Sequence, residues 1–283
     1  MTRGLSSIPM RDYLAIKAFS SGVAFTILAQ SPYHARKAFE APADDPSSES
    51  DFGTAVHDGF LEGADRIAVI DAPDWRTKAA KEERERARLA GMVPLLAHKA
   101  EAAKACIEAA TAFLPISGIA GWLDHGEPEL TVQWTEDRAP CKARPDWLDL
   151  ERGRILHVKT TPGSAEPSAW IRNQLTGNGY DLSYVLYERG ISTVTDQPLH
   201  SVFLVIEQEP PHGCSLIDLG PAQYDLSQRR LQRALAAWQK GLDTHTWPSY
   251  DTRIHSAEPK PWEMAQEDER AMDEWDPELG RQA

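Results

Sequence analysis

Cysteine is scarce. The chain has three, Cys106, Cys141 and Cys214, widely separated and odd in number. With no CxxC pair and no zinc-type spacing, they read as buried free thiols rather than a disulfide frame or a zinc site. The same shortage excludes an iron–sulfur cluster, which takes four thiolates. Long apolar runs are lacking too, and none approaches the about 18 residues of a membrane span. The opening residues, MTRGLSSIPMRDYLAIKAFS, carry no secretory apolar region followed by a cleavage site. The expected location is a reducing cytoplasm with no membrane attachment.

Positive charge is the next shortage. Thirty Lys and Arg face 43 Asp and Glu, a formal net charge of −13. That balance argues against a generally basic nucleic-acid coat, because phosphate binding needs clustered cations. It leaves room for an enzyme whose cations are confined to a channel. No GxSxG or Cys–His signature supports a nucleophilic hydrolase, and no Walker A motif supports an ATP-driven motor.

What is present has α/β order. Residues 12–40 read as helical, with Ser20 and Ser21 as cap candidates and a break at Ser31-Pro32. Residues 41–51 (APADDPSSESD) read as a polar loop. A second helical stretch from about Phe52 carries GTAVHDGFLEG, with Val56, Phe60 and Leu61 on one face and His57 beside it. Residues 77–112 predict one or two long amphipathic helices with a break near Gly91. Their run KEERERAR is either a solvated face or a DNA contact. From Glu129 the period becomes strand-like. Residues 130–134, 143–150 and 155–160 predict an antiparallel meander, followed by a helix at 170–189, a strand at 200–207 and a helix at 226–242. The order implies an α/β sandwich around a mixed sheet. Beyond Trp247 the chain reads as irregular, with a mobile acidic tail.

Residues 141–161, CKARPDWLDLERGRILHVKTT, carry the chemistry. Asp146 and Lys159 fall on neighbouring short strands, and His157 lies two residues before the lysine. Residues two apart on a strand face the same side, so 157 and 159 can address one centre. An acidic residue, a gap, then a ligand one residue from a lysine is how a PD-(D/E)xK nuclease holds a divalent cation beside a phosphate. Hard oxygen ligands suit Mg²⁺ or Mn²⁺, which activate water and offset charge on the phosphate.

Taken in order, SPYHARKAF, GTAVHDGFLE, Glu129 before a Trp-containing strand, CKARPDWLDL, ILHVKTTPGSAEPSAW, GYDLSYVLYERG, FLVIEQEPP and WPSY resemble the RecE-type (exodeoxyribonuclease VIII-like) phage and prophage exonucleases. The resemblance runs from about Leu14 to Tyr250. It implies a restriction-endonuclease-like PD-(D/E)xK core, a mixed β-sheet flanked by helices, with an N-terminal helical region. The parts would be residues 1–112, a helical part bearing GTAVH; 113–250, the nuclease core; and 251–283, the acidic tail. It implies metal-dependent digestion of duplex DNA from its ends, commonly 5′→3′, by a ring-like oligomer with a RecT-like annealing partner in the bacterial host cytoplasm. Carried over by position, His57, Asp146 and His157 would hold the metal. Asp146, His157, Lys159 and Glu129 would form the catalytic set, while Tyr187, Ser183, Thr160 and Thr161 would contact DNA.

Two positions depart from that pattern. His157 stands where the family has an acidic ligand, and Ser183 where it has a glutamine four residues before the tyrosine. A neutral imidazole adds no negative charge and prefers borderline metals, which tilts the expected ion from Mg²⁺ toward Mn²⁺. Three outcomes stay open: an active site with shifted metal preference, a replacement carboxylate from Asp149 or Glu151, or a nuclease fold that binds DNA or a partner with little cleavage.

Overall fold

A computed structural model describes residues 4–41, 48–63 and 66–274. Most of the predicted polar loop at 41–51 and the end of the acidic tail lie outside the described residues. The chain forms two units, Met1–Ser249 and Tyr250–Ala283. No helix among the described residues is long and apolar enough to cross a membrane.

The first unit is organised by one apolar strand, His200–Glu207, in which Phe203, Leu204, Val205 and Ile206 are fully buried. A strand buried on both faces must be covered by helices on both sides, the situation of a parallel pair. It pairs in parallel with Arg154–Thr161, in a five-stranded sheet ordered Cys214–Ile217, His200–Glu207, Arg154–Thr161, Trp147–Asp149, Glu127–Pro128. The other pairs in this sheet are antiparallel. The crossover between the parallel strands contains the helix Tyr180–Thr195.

Side-chain alternation sorts the strand residues onto two faces. Ile155, Phe203 and Val205 join a core with the helices Ser21–Ala29, Tyr180–Thr195 and Pro221–Thr244. Leu156, Val158, Leu204 and Ile206 join a second core with Ser48–His57 and Ala97–Phe113. The result is the PD-(D/E)xK-type layering expected, a mixed sheet flanked by helices.

Four local expectations need correction. Residues 77–112 are two helices, Lys78–Leu89 and Ala97–Phe113, but a strand, Val93–Leu96, lies between them and pairs in parallel with Ile67–Ile70. Four apolar residues next to a helix are too short to show a strand period. Second, the meander is split. Thr131–Glu136 and Ala139–Ala143 belong to a separate three-stranded sheet with Gly4–Ser6, and the chain changes sheet at Arg144-Pro145-Asp146. Third, residues 170–189 are not one helix. A short helix, Pro167–Trp170, and a π-turn, Ile171–Leu175, end before Gly179, and a new helix starts at Tyr180. Fourth, the second unit contains a helix, Pro261–Glu274, where an irregular tail was expected. In KEERERAR, Arg84 and Arg88 both grip the buried carboxylate of Asp51, at 2.9 and 2.8 Å, so part of that run is committed to packing.

Candidate active site

Three elements deliver three ligand-type side chains to one point. The helix Ser48–His57 is anchored by buried Phe52, Ala55 and Val56, and these fix His57 at its end. Glu129 sits in a left-handed conformation (φ 54°) just before the strand Thr131–Glu136. Asp146 immediately precedes the strand Trp147–Asp149. His57 Nε2 lies 3.5 Å from Glu129 Oε1 and 3.5 Å from Asp146 Oδ1. One donor atom from each residue falls within 4.8 Å of the others.

Each carboxylate is aimed by its second oxygen. Asp146 Oδ2 accepts from the Val158 amide at 2.7 Å and from Lys159 Nζ at 3.2 Å, leaving Oδ1 toward His57. Glu129 Oε2 is gripped by Arg144, which also donates to the carbonyl of Ile8 at 2.8 Å. Arg144 is a site residue that motif reading missed, although it stands inside CKARPDW. The sequence signal for it was an arginine two residues before the key aspartate.

The electrostatics follow from this packing. Burial works against charge on His57, but Asp146, with Asp58 and Glu129, outweighs it and raises its pKa to about 10. Burial would raise the Asp146 carboxyl, yet Lys159 and then His57 overcome that and hold it well below the usual carboxylate range. Burial dominates at Glu129, whose carboxyl is pushed up despite His57 and Arg144.

These residues fit a divalent cation. His57 Nε2 is buried and has no hydrogen-bond partner, and it faces two carboxylate oxygens that together favour a positive charge there. One imidazole nitrogen and two carboxylate oxygens form a donor set that Mn²⁺ or Mg²⁺ accepts. A second possible group, His57, Asp58 and Glu62, shares the histidine, but Arg66 already pairs with Asp58 at 2.9 Å and with Glu62 at 3.3 Å.

The remaining expected residues separate into two sets. His157, Lys159, Ser183 and Tyr187 line one cleft of about 220 Å³ together with Asp146, Ser21, Gly22, Phe25, Asn178, Gly179 and Tyr180. His157 stands outside the three-ligand group. It is 1% exposed and packed among the rings of Tyr184, Tyr187 and Phe203, with centroids 5.0 to 6.0 Å away. Burial lowers its pKa to about 3, so the ring is neutral. Thr160 and Thr161 are not among the residues lining the cleft. Thr160 Oγ1 accepts from Gln208 at 3.2 Å, and Thr161 Oγ1 accepts from the Gly163 amide at 3.2 Å. Asp149 is buried and bonded to the amide of Arg152, away from the ligand group. A larger hollow of about 520 Å³ is lined by Glu188 and Tyr224 among others, but Glu188 is spent on the Ser201 amide at 2.8 Å.

Residues 21–257 match a family model described as "PDDEXK-like domain of unknown function (DUF3799)". No curated protein matches the sequence. A crystal structure of a protein described as "Putative exonuclease", from Eubacterium rectale, superposes with a TM-score of 0.58 at 11% identity, covering 92% of this chain and 98% of that one. A structure of SSO0001 aligns with a TM-score of 0.28 at 10% identity over 64% of this chain and 84% of that one, too weakly to establish a shared fold.

Proposed function

We infer from two facts together, that the chain belongs to the PDDEXK-like domain family (DUF3799) and that His57, Glu129 and Asp146 converge beside Lys159, that it is a divalent-metal-dependent deoxyribonuclease. The observation that carries this reading is the orphaned Nε2 of His57 between two carboxylates.

The division of labour follows from the contacts. His57, Glu129 and Asp146 would hold Mn²⁺ or Mg²⁺, and the nitrogen ligand favours Mn²⁺. The ion supplies water activation near neutral pH and neutralises charge on the phosphate. Asp146 is kept ionised by Lys159 and by the Val158 amide, so it is a ligand at working pH. Lys159 directs a point cation into the cleft, where it can orient the attacking water or meet charge that grows on the phosphate. His157 lines the same cleft as a neutral ring.

The finer reading is exonucleolytic: hydrolysis from a duplex end, 5′→3′, by a ring-like homo-oligomer acting with a RecT-like annealing protein in phage-type recombination in a bacterial cytoplasm. It is supported by the ordered RecE-type motifs and by the description "Putative exonuclease" carried by the E. rectale structure. A ring would retain DNA despite the net charge of −13. A second reading, DNA binding with little cleavage, is favoured by one observation: the position beside Lys159 holds a neutral histidine instead of a carboxylate.

Digestion of 5′-end-labelled linear duplex in EDTA, Mg²⁺ and Mn²⁺ separates the two. The first reading expects metal-dependent loss of label that disappears in Asp146→Asn and Lys159→Ala. Intact DNA in every metal, with binding retained, would establish the second.

A further inference from the structure

The chain before Ala18 has no core of its own. None of residues 4–17 is buried, and on the short helix Met10–Ala15 the side chains of Met10 and Leu14 are about half exposed. A segment with so little apolar burial opens at low free-energy cost unless polar contacts hold it. Polar contacts do hold it, and they lead to the ligand group. The strand Gly4–Ser6 pairs with Thr131–Glu136, with Ser6 opposite Thr131, two positions after Glu129. Arg144 donates to the Ile8 carbonyl at 2.8 Å. Lys142 Nζ donates to the carbonyls of Tyr13 at 2.8 Å and Ile16 at 2.9 Å.

Lys142 is the unusual member. It is buried in the strand Ala139–Ala143, and its partners are those two carbonyls and the ring of Tyr13, 4.4 Å away, with no carboxylate among them. Burial, and then Lys17, pushes its pKa down to about 8. A buried ammonium without a counter-ion is costly, so its retention asks for a role. The ring of Tyr13 meets a second cation, Arg144, at 5.5 Å. Arg144 is the residue that grips Glu129 Oε2 through Nε, while its Nη1 holds Ile8 and reaches Thr131 Oγ1 at 3.4 Å. A guanidinium is a rigid fork, so fixing one nitrogen fixes the direction of the others.

We propose that residues 4–16 form a strap that positions Glu129 for metal binding through Arg144, with Tyr13 and Lys142 as the positioning residues that hold the strap down. The metal group is complete only while the strap is seated. This rests on the reading of His57, Glu129 and Asp146 as metal ligands. With the strap lifted, Arg144 loses Ile8 and the Tyr13 ring, and Glu129 loses its fixed direction. His57 and Asp146 keep theirs, held by the helix Ser48–His57 and by the Val158 amide. The strap therefore sets metal affinity rather than the fold.

The test is calorimetric titration of Mn²⁺ without DNA, so cleavage plays no part. The expected result is about fivefold weaker binding in Tyr13→Ala and in Lys142→Met, while Tyr13→Phe, which keeps the ring over both cations, stays within about twofold of the parent. A double-mutant cycle separates positioning from general support of the fold. In a Glu129→Ala background the Tyr13→Ala change should cost less than about twofold, because the carboxylate it acts through is gone. Equal losses in both backgrounds, or Mn²⁺ affinity unchanged in Tyr13→Ala, overturn the strap and leave the nuclease reading standing. Hydrogen exchange in the unaltered protein needs no substitution. Coupling is reciprocal, so bound Mn²⁺ should slow exchange at the amides of residues 4–16, and unchanged exchange there overturns the strap. The expected losses in a protein that never cleaves DNA support the strap and remove the nuclease. A parent that binds no Mn²⁺ removes both.

Discussion

Two histidines flank Asp146 in opposite electrostatic states. His57 ends a helix among carboxylates, and its pKa is raised to about 10; His157 is walled in by aromatic rings, and its pKa is lowered to about 3. His157 is buried and His57 partly so, and burial alone depresses each of them. The difference is the company. His57 meets Asp146, Glu129 and Asp58, whereas His157 meets Asp146 offset by Lys159, with Tyr184, Tyr187 and Phe203 around it. The surroundings of His57 therefore favour a cation, and those of His157 favour a neutral ring. A histidine beside the key aspartate in the sequence can still fall outside the cluster that could hold a metal.

The strongest way to break this comparison is to remove its shared centre. Asp146→Asn keeps the shape but loses the charge that both sides use, and metal-dependent digestion should fall by about 10³-fold or more. Steady-state digestion with Mn²⁺ checks it. Next is Lys159→Ala, which removes a cation from the cleft and one of the two contacts on Asp146 Oδ2, while the Val158 amide still holds that oxygen. It should cost about 10²-fold in kcat while Mn²⁺ affinity, measured by calorimetry, stays equal or tightens.

The two histidines should also give stability slopes of opposite sign. The folded pKa of His57 lies above its unfolded value of about 6.5, so its contribution is present below that pH and is lost as pH rises toward about 10. The folded pKa of His157 lies below the unfolded one, so its contribution is present above about pH 6.5 and is lost as pH falls toward about 3. Each slope is at most about 1.4 kcal/mol per pH unit. Thermal melts in EDTA should show the alkaline limb flattened in His57→Ala and the acid limb flattened in His157→Phe. The smallest expected effect is Tyr187→Phe. Tyr187 lines the cleft and its hydroxyl bonds the Ser21 side chain, and loss of that hydroxyl should raise the KM for DNA about two- to fivefold with kcat nearly unchanged.

Much of this was legible in the sequence, for a local reason. The pairing of Asp146 with Lys159 depends on strand spacing, and the strand 200–207 announces itself as a continuous apolar run. The helix that carries His57 shows its apolar face in GTAVHDGF. What stayed hidden depends on side chains meeting from distant segments. Arg144 reaches Glu129 across fifteen residues and Ile8 across 136. The exclusion of His157 from the ligand group is set by rings on the helix Tyr180–Thr195 and the strand His200–Glu207, and no spacing within residues 141–161 contains them. The strand Val93–Leu96 was invisible because its neighbour is a parallel partner some 26 positions earlier, Ile67 opposite Val93.

The most direct test of the account is calorimetric titration of Mn²⁺ into the parent protein, His57→Ala and His157→Ala. The account predicts that His57→Ala loses at least about tenfold in affinity, as removal of a ligand should, while His157→Ala binds Mn²⁺ within about twofold of the parent. Loss of Mn²⁺ binding in His157→Ala, with His57→Ala unaffected, would place the metal on the other side of Asp146 and contradict it.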